Sequence, residues 1–318
     1  MKLVSIIALI QNENMKIYRR IGTIVMIGLL LLAVIATGII QKYVIKENAT
    51  DWRTAIQAET TNFKTNLEKN PNLPTALQRH YEKQIQINEY RLEHNVQPIE
   101  NSTIPGFMNT TANLVSIITL FTVIVAAGSV ASEFYWGTIK LLLIRPVTRS
   151  KILLAKYLST IIFALLLLSI LFLSSLLVGG ILFGLENADV PYLAYVDGHV
   201  EEVSLVTHIL TLYGYSGIEL IMMATFAFMI SAVFRSSSLA IGLTIFLLFT
   251  GVQVVQLLSK YSWAKFILFA NTNLAVYQDG VPIVEGMTLS FSIGMLILYY
   301  LLFVSLAWGI FNKRDITA

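Results

Sequence analysis

The chain has 318 residues, of which 56% are hydrophobic and only 13% charged, with 22 Lys and Arg against 19 Asp and Glu. A soluble domain carries about 25% charged residues, so this balance places the chain among membrane proteins. The lack of cysteine excludes disulfides and thiolate metal sites, and a net charge of +3 spread around apolar runs argues against a nucleic-acid partner.

Residues 1–20 read as a cytosolic interfacial helix. Leu3, Ile6, Ile7, Ile10 and Ile17 fall on one face, and Asn12, Glu13, Lys16, Arg19 and Arg20 cover the other. The following apolar run, 21–40, is too long for the core of a signal peptide, and no small-residue cleavage site follows it. At about 20 residues it matches a hydrocarbon core of about 30 Å and is the first expected span.

Residues 41–109 form the largest polar stretch. Two helix-favouring segments, 51–68 and 75–94, flank the turn sequence Asn70-Pro71-Asn72-Leu73-Pro74. Sparse apolar positions, among them Phe63, Tyr81 and Ile85, predict that they zip into a helical hairpin, either a solvated stalk or a binding element. Further spans are expected at 111–131, 152–183, 207–233, 239–258 and 289–311. The third is too long for a straight crossing, so its first turns project from the membrane, and Gly179-Gly180 is a candidate bend.

Between the second and third spans lies a charged interruption, 132–151. It holds Lys140, Arg145, Arg149 and Lys151, with Glu133 as its only acid. Pro146 lacks a backbone donor and blocks helix continuation, so 133–144 and 152 onward are expected as separate helices meeting at a bend. Basic residues collect at 1–20, 132–151, 234–238 and 312–318, whereas the loop 184–206 has five acids and no Lys or Arg. The positive-inside rule then puts both termini in the cytosol, with the hairpin, 184–206 and 259–288 outside. Lys260 and Lys265 run against the rule.

No phosphate-binding glycine loop, zinc-binding His-Glu-x-x-His or Gly-x-Ser-x-Gly occurs, and the four histidines (His80, His94, His199, His208) are scattered. No active site is expected. Glu219 stands near the middle of the fourth span. A carboxylate there faces the bundle interior or a wet path, as a ligand contact or as a structural acid near the outer interface. Gln253 and Gln256, with Asn109 and Asn113, are the other polar candidates for a path, or else helix–helix glue. Residues 263–282 are half apolar and too broken to span, which suits a partly re-entrant segment.

Glu133-x-x-x-Gly137-Thr138, then Leu141-Leu142 and Arg145-Pro146-Val147-x-Arg149, resembles the segment between the second and third spans of ABC-2 type transporter permeases. The stretch Gln11-Asn12-Glu13-Asn14-Met15-Lys16, the six-span count and the closing Phe311-Asn312-Lys313-Arg314-Asp315-Ile316 are also similar to that family. The large first outer loop resembles Gram-positive-type permeases with an extracellular helical insertion. The resemblance implies an all-α polytopic protein with six spans in a bacterial cell membrane. Its role would be the non-enzymatic membrane subunit of an exporter. A second permease subunit would complete the path, and cytosolic ABC ATPase subunits would bind ATP-Mg; no cofactor is expected in this chain. By the same resemblance, Glu133, Gly137, Thr138, Lys140, Arg145, Pro146 and Arg149 would couple the permease to the ATPase. Glu219, Gln253, Gln256 and Asn113 are the path candidates. The cargo would be a drug or antimicrobial peptide. The alternatives are ion efflux by the same architecture, peptide sensing or immunity without transport, and a carrier working without ATP, for which no convincing inverted repeat is found.

Overall fold

A computed structural model describes residues 5–44, 51–70, 73–138, 147–184, 190–196, 198–234 and 236–313. Its helices are α1 (Ile6–Tyr18), α2 (Ile21–Tyr43), α3 (Trp52–Lys69), α4 (Thr75–His94), α5 (Ile104–Ala112), α6 (Val115–Tyr135), α7 (Arg149–Phe183), α8 (Leu205–Val233), α9 (Ser237–Leu258), the short α10 (Leu268–Asn271) and α11 (Val276–Asp279), and α12 (Leu289–Lys313). Six are long and apolar enough to cross a membrane, with α5 and α6 acting together as one. The chain is a multi-pass membrane protein.

α8 is the axis of the bundle. In its span 72% of the most apolar stretch is buried, against 17% for α12 and 22% for α2 and α9, whose outer faces carry Ile, Leu and Phe. It packs most closely on α6, where small residues (Ala126, Ala127, Ala131) let the two helices approach. There the Ser231 hydroxyl accepts from the Val130 and Ala131 amides, both at 3.0 Å. The Tyr157 hydroxyl on α7 meets Thr225 of α8 at 2.9 Å and donates to Tyr300 of α12 at 3.1 Å, fastening three spans.

The span boundaries differ from expectation at the second and third spans. The second starts at Ile104, seven residues earlier than expected, because Thr103 caps α5 by accepting from the Gly106 amide and Pro105 sits in the first turn, where its missing donor costs nothing. A side chain at Gly106 would meet the Glu100 carbonyl at 2.2 Å, so only glycine fits this corner. α7 begins at Arg149 and stays helical through Gly179-Gly180. Gly179 receives the Phe107 ring, 3.1 Å from where a side chain would begin.

At the opposite end of the bundle from α1, α3 and α4 form the expected hairpin, with Phe63 and Tyr81 stacked 5.0 Å apart. The all-α expectation is corrected there. Within 184–206, expected as plain loop, β1 (Tyr192–Val196) pairs antiparallel with β2 (His199–Val203) in a register that sets Tyr192 opposite Val203. The cause is readable: β-branched and aromatic residues flank Asp197-Gly198, a two-residue hairpin signal, and Gly198 takes φ +91°. α4 packs on both strands.

Residues 262–282 fold back on α9 and α12 as short helical turns. Asn271, 1% exposed, anchors them: its amide donates to the Lys265 and Ile267 carbonyls, and its oxygen accepts from Ser292 of α12 at 2.8 Å. The Phe269 ring lies against Gly251 of α9, where a Cβ would sit 2.3 Å from it.

Candidate functional site

Two constellations stand out, one at each end of the bundle. At the α1 end, Glu13 of α1, Glu133 in the last turn of α6 and Lys156 of α7 converge with Lys16. The Lys156 ammonium donates to Glu13 at 2.8 Å and to Glu133 at 2.9 Å. Lys16 reaches the same two carboxylates at 2.7 and 3.3 Å, which closes a ring of two cations and two anions. Thr138 donates to the second oxygen of Glu133. The Lys156 side chain is 3% exposed and both Glu side chains 13%, so these three are largely shielded from water and salt, whereas Lys16, 38% exposed, forms the wet edge of the ring.

Burial alone would push the Glu13 carboxyl up, but the neighbouring Lys156 and Lys16 ammonium groups outweigh it and hold it below the ordinary carboxylate value. Burial likewise pulls Lys16 down, while hydrogen bonding to Glu13 and attraction to Glu133 carry it above the usual ammonium value. On the N-terminal helix, Glu13 and Lys16 of the polar face join Leu9 (8% exposed) on the side turned to α7, while Ile7 of the apolar face is 63% exposed. Lys156, four residues into an expected apolar span, was the signal that the sequence reading passed over.

The start of the expected helix 133–144 is corrected, and residues 139–144 lie outside the described residues. Glu133 belongs to the end of α6, which stops at Tyr135, and Gly137 turns the chain with φ +68°, a conformation that favours glycine. Lys140, Arg145 and Pro146 lie outside the described residues, as does Arg235. Arg149 starts α7 and donates to the Asn312 carbonyl at 3.3 Å, while Ser150 and Asn312 bond through their side chains. Arg149 therefore ties α7 to the end of α12.

Nearer the hairpin end, a cavity of 540 Å³ opens where α5 gives way to α6. Asn109, Asn113, Ser116 and Thr119 line one side, Ser216 and Glu219 of α8 the other, with Asn273, Val276 and Gly280 from the broken segment. α8 is unbroken through Tyr213-Gly214-Tyr215, so Glu219 sits in mid-helix rather than at a boundary. Among the described residues no ion pair or hydrogen bond engages its carboxylate. Three of the sequence candidates, Glu219, Asn109 and Asn113, thus meet in one cavity. Gln253 and Gln256 do not: both are exposed on α9, away from it. Ser116 and Asn273 had not been singled out. His199 and His208, the two histidines nearest each other in sequence, take separate partners: His199 pairs with Glu201 at 2.7 Å, and His208 stacks on Tyr192 at 3.6 Å.

The cavity wall is fastened to the helical hairpin. Lys83 of α4, 6% exposed, donates to the Gln278 carbonyl at 2.6 Å and to the Gly280 carbonyl at 3.2 Å.

Residues 79–317 match a family described as protein of unknown function, DUF2705. The chain belongs to that family. An uncharacterized protein of Bacillus subtilis strain 168, YhcI, is 44% identical over 312 residues, covering 97% of this chain and 98% of its own. An uncharacterized membrane protein of the same organism, YdbK, is 32% identical over 214 residues, covering 66% of this chain and 82% of its own. No activity comes with the description of DUF2705, so the chemistry of this member has to be read from the ring and the cavity themselves.

Proposed function

We propose that the protein is the membrane subunit of an ATP-driven exporter in a bacterial cell membrane, with its catalytic subunits on separate chains. The observation that carries this reading is the Glu13–Lys16–Glu133–Lys156 ring. A lever that transmits force from a cytosolic ATPase must be rigid and joined to more than one span. The ring makes α1, the end of α6 and the start of α7 one piece, and in sequence α6 and α7 flank residues 139–146, part of the stretch that resembles the coupling region of ABC-2 type permeases. α1, with Ile7 and Met15 turned outward, fits a helix lying on the inner membrane face. The positive-inside rule puts the ring in the cytosol and the α3–α4 hairpin outside. Two such chains would enclose the path, and closure of paired ATPases would rock the bundles between inward- and outward-open states.

The test is affinity purification of the chain with its ATPase, comparing the unchanged protein with Arg145→Ala. A weakened association at unchanged thermal stability supports the reading; undiminished association contradicts the assigned coupling segment. Because Arg149 is engaged with Asn312, the single Arg145 variant is the cleaner probe.

A second reading, peptide sensing on the hairpin without transport, is favoured by the Lys83 tether, through which a ligand on α4 would act on the cavity wall. Deleting residues 51–94 discriminates: a sensor loses its response entirely, whereas an exporter keeps basal ATPase coupling.

A further inference from the structure

We propose that the Glu219 cavity binds an organic monocation, an ammonium or guanidinium group carried on a small apolar body. This deepens the export reading by naming the chemical class of its cargo, and it rests on that reading only for the step after binding.

The lining decides the sign of the ligand. Among the described lining residues Glu219 is the only ionisable side chain, and it has no partner among the described residues. The hydroxyl protons around it are already used. Ser116 donates to the Asn113 carbonyl at 2.7 Å, Thr119 to Val115 at 2.9 Å, and Ser216 to Leu212 at 2.9 Å. Asn113 spends one of its amide protons on the Thr110 carbonyl at 3.2 Å. What these four groups turn to the cavity is chiefly lone pairs. The Asn109 and Asn273 amides in the lining can donate as well as accept, so Glu219 sets the sign: an unpartnered carboxylate repels anions and leaves an N–H-bearing cation as its natural partner.

The size and remaining walls decide the rest. At 540 Å³ the cavity lies in the range of small-molecule sites and is far larger than an inorganic ion needs. Leu212 and Val276 add apolar wall beside the polar groups, so a ligand with a charged head and a compact hydrocarbon body covers both. A mid-span carboxylate without a partner is costly to keep in a membrane, and a bound cation removes that cost.

The experiment uses the full chain in lipid nanodiscs with no ATPase present, and ethidium as the fluorescent probe, measured against empty nanodiscs. Saturable binding is expected, weakened about 30-fold or more by Glu219→Gln, the loss of one partner of a desolvated charge pair, and largely kept by Glu219→Asp. Octylguanidine should displace ethidium from the unchanged chain, and octyl sulfate should not; this second measurement stands even if the Gln variant fails to fold. Binding that is absent, that is unaffected in a folded Glu219→Gln protein, or that octyl sulfate displaces as well as octylguanidine would overturn the proposal. Failure of the export reading looks different: the cation binds through Glu219, yet no ATPase associates with the chain.

Discussion

The ammonium of Lys156 on α7 stands 2.8 Å from Glu13 on α1 and 2.9 Å from Glu133 on α6, so one buried cation holds three elements together. Removing it leaves two mostly buried carboxylates with only the more exposed Lys16 to balance them. Lys156→Ala should therefore destabilise the protein by about 3 kcal/mol, the lower end of the range for breaking a buried ion pair from one side. The exposed pair Lys64–Glu89 is the internal control, with both side chains about half exposed; Lys64→Ala should change stability by about 0–1 kcal/mol. Thermal unfolding of the two variants in detergent checks the contrast, and equal effects would mean that the ring does not hold α1.

The ring also fixes a pH window. Glu13 is held below the ordinary carboxylate value in the folded state, so its contribution is complete above that value and is lost as the pH falls through the lowered one. Lys16 is raised, so its contribution is complete below the ordinary ammonium value and is lost only as the pH rises beyond it. Docking of α1 should thus be flat across neutral pH and released on acidification below the ordinary carboxylate range. Because the chain has no cysteine, a single spin label at Ala8→Cys reports this directly: its mobility should stay constant through neutral pH and rise only in acid.

Lys83 links the helical hairpin to the cavity wall through two carbonyls. Lys83→Ala strands both acceptors and should cost about 1.5–3 kcal/mol locally. Hydrogen–deuterium exchange should speed up at residues 276–282 and in α4, with α6 and α8 unchanged. Uniform exchange across all four regions would show that the tether has no local role.

Gly251 and Phe269 occupy the same space, since a Cβ on Gly251 would lie 2.3–2.6 Å from the ring. Gly251→Ala should destabilise by about 1–3 kcal/mol through overpacking, and Phe269→Leu in the same chain should restore most of the loss. Additive effects in the double variant would contradict the fit of the broken segment against α9.

The membrane class and the six spans were legible because long apolar runs declare themselves without any tertiary information. The α4 boundaries, Thr75–His94, match the expected segment that follows the turn ending at Pro74, and Asn95 after it takes the left-handed conformation with φ +58°. The sequence reading went astray where a local pattern was overruled by distant partners. The polar stripe of α1 looks solvated in isolation, and only a buried lysine 143 positions away turns it inward. The β1–β2 hairpin was missed although Asp197-Gly198 advertised it, because an acidic loop between spans was read by charge alone. Glu219 and Asn113 were found because polar residues inside spans are rare. Gln253 and Gln256 were grouped with them by composition, but α9 turns both outward.

The central claim, that this DUF2705 protein is the membrane half of an ATP-driven pump, is tested most directly by purifying it from native membranes with whatever it binds. Chromatography would show in parallel that the chain is folded and monodisperse. We predict a co-purifying ATPase in equal number, whose ATP turnover rises with octylguanidine and whose association is lost when residues 139–146 are replaced by a Gly-Ser linker of the same length. A folded chain that brings down no ATP-hydrolysing partner would contradict the account.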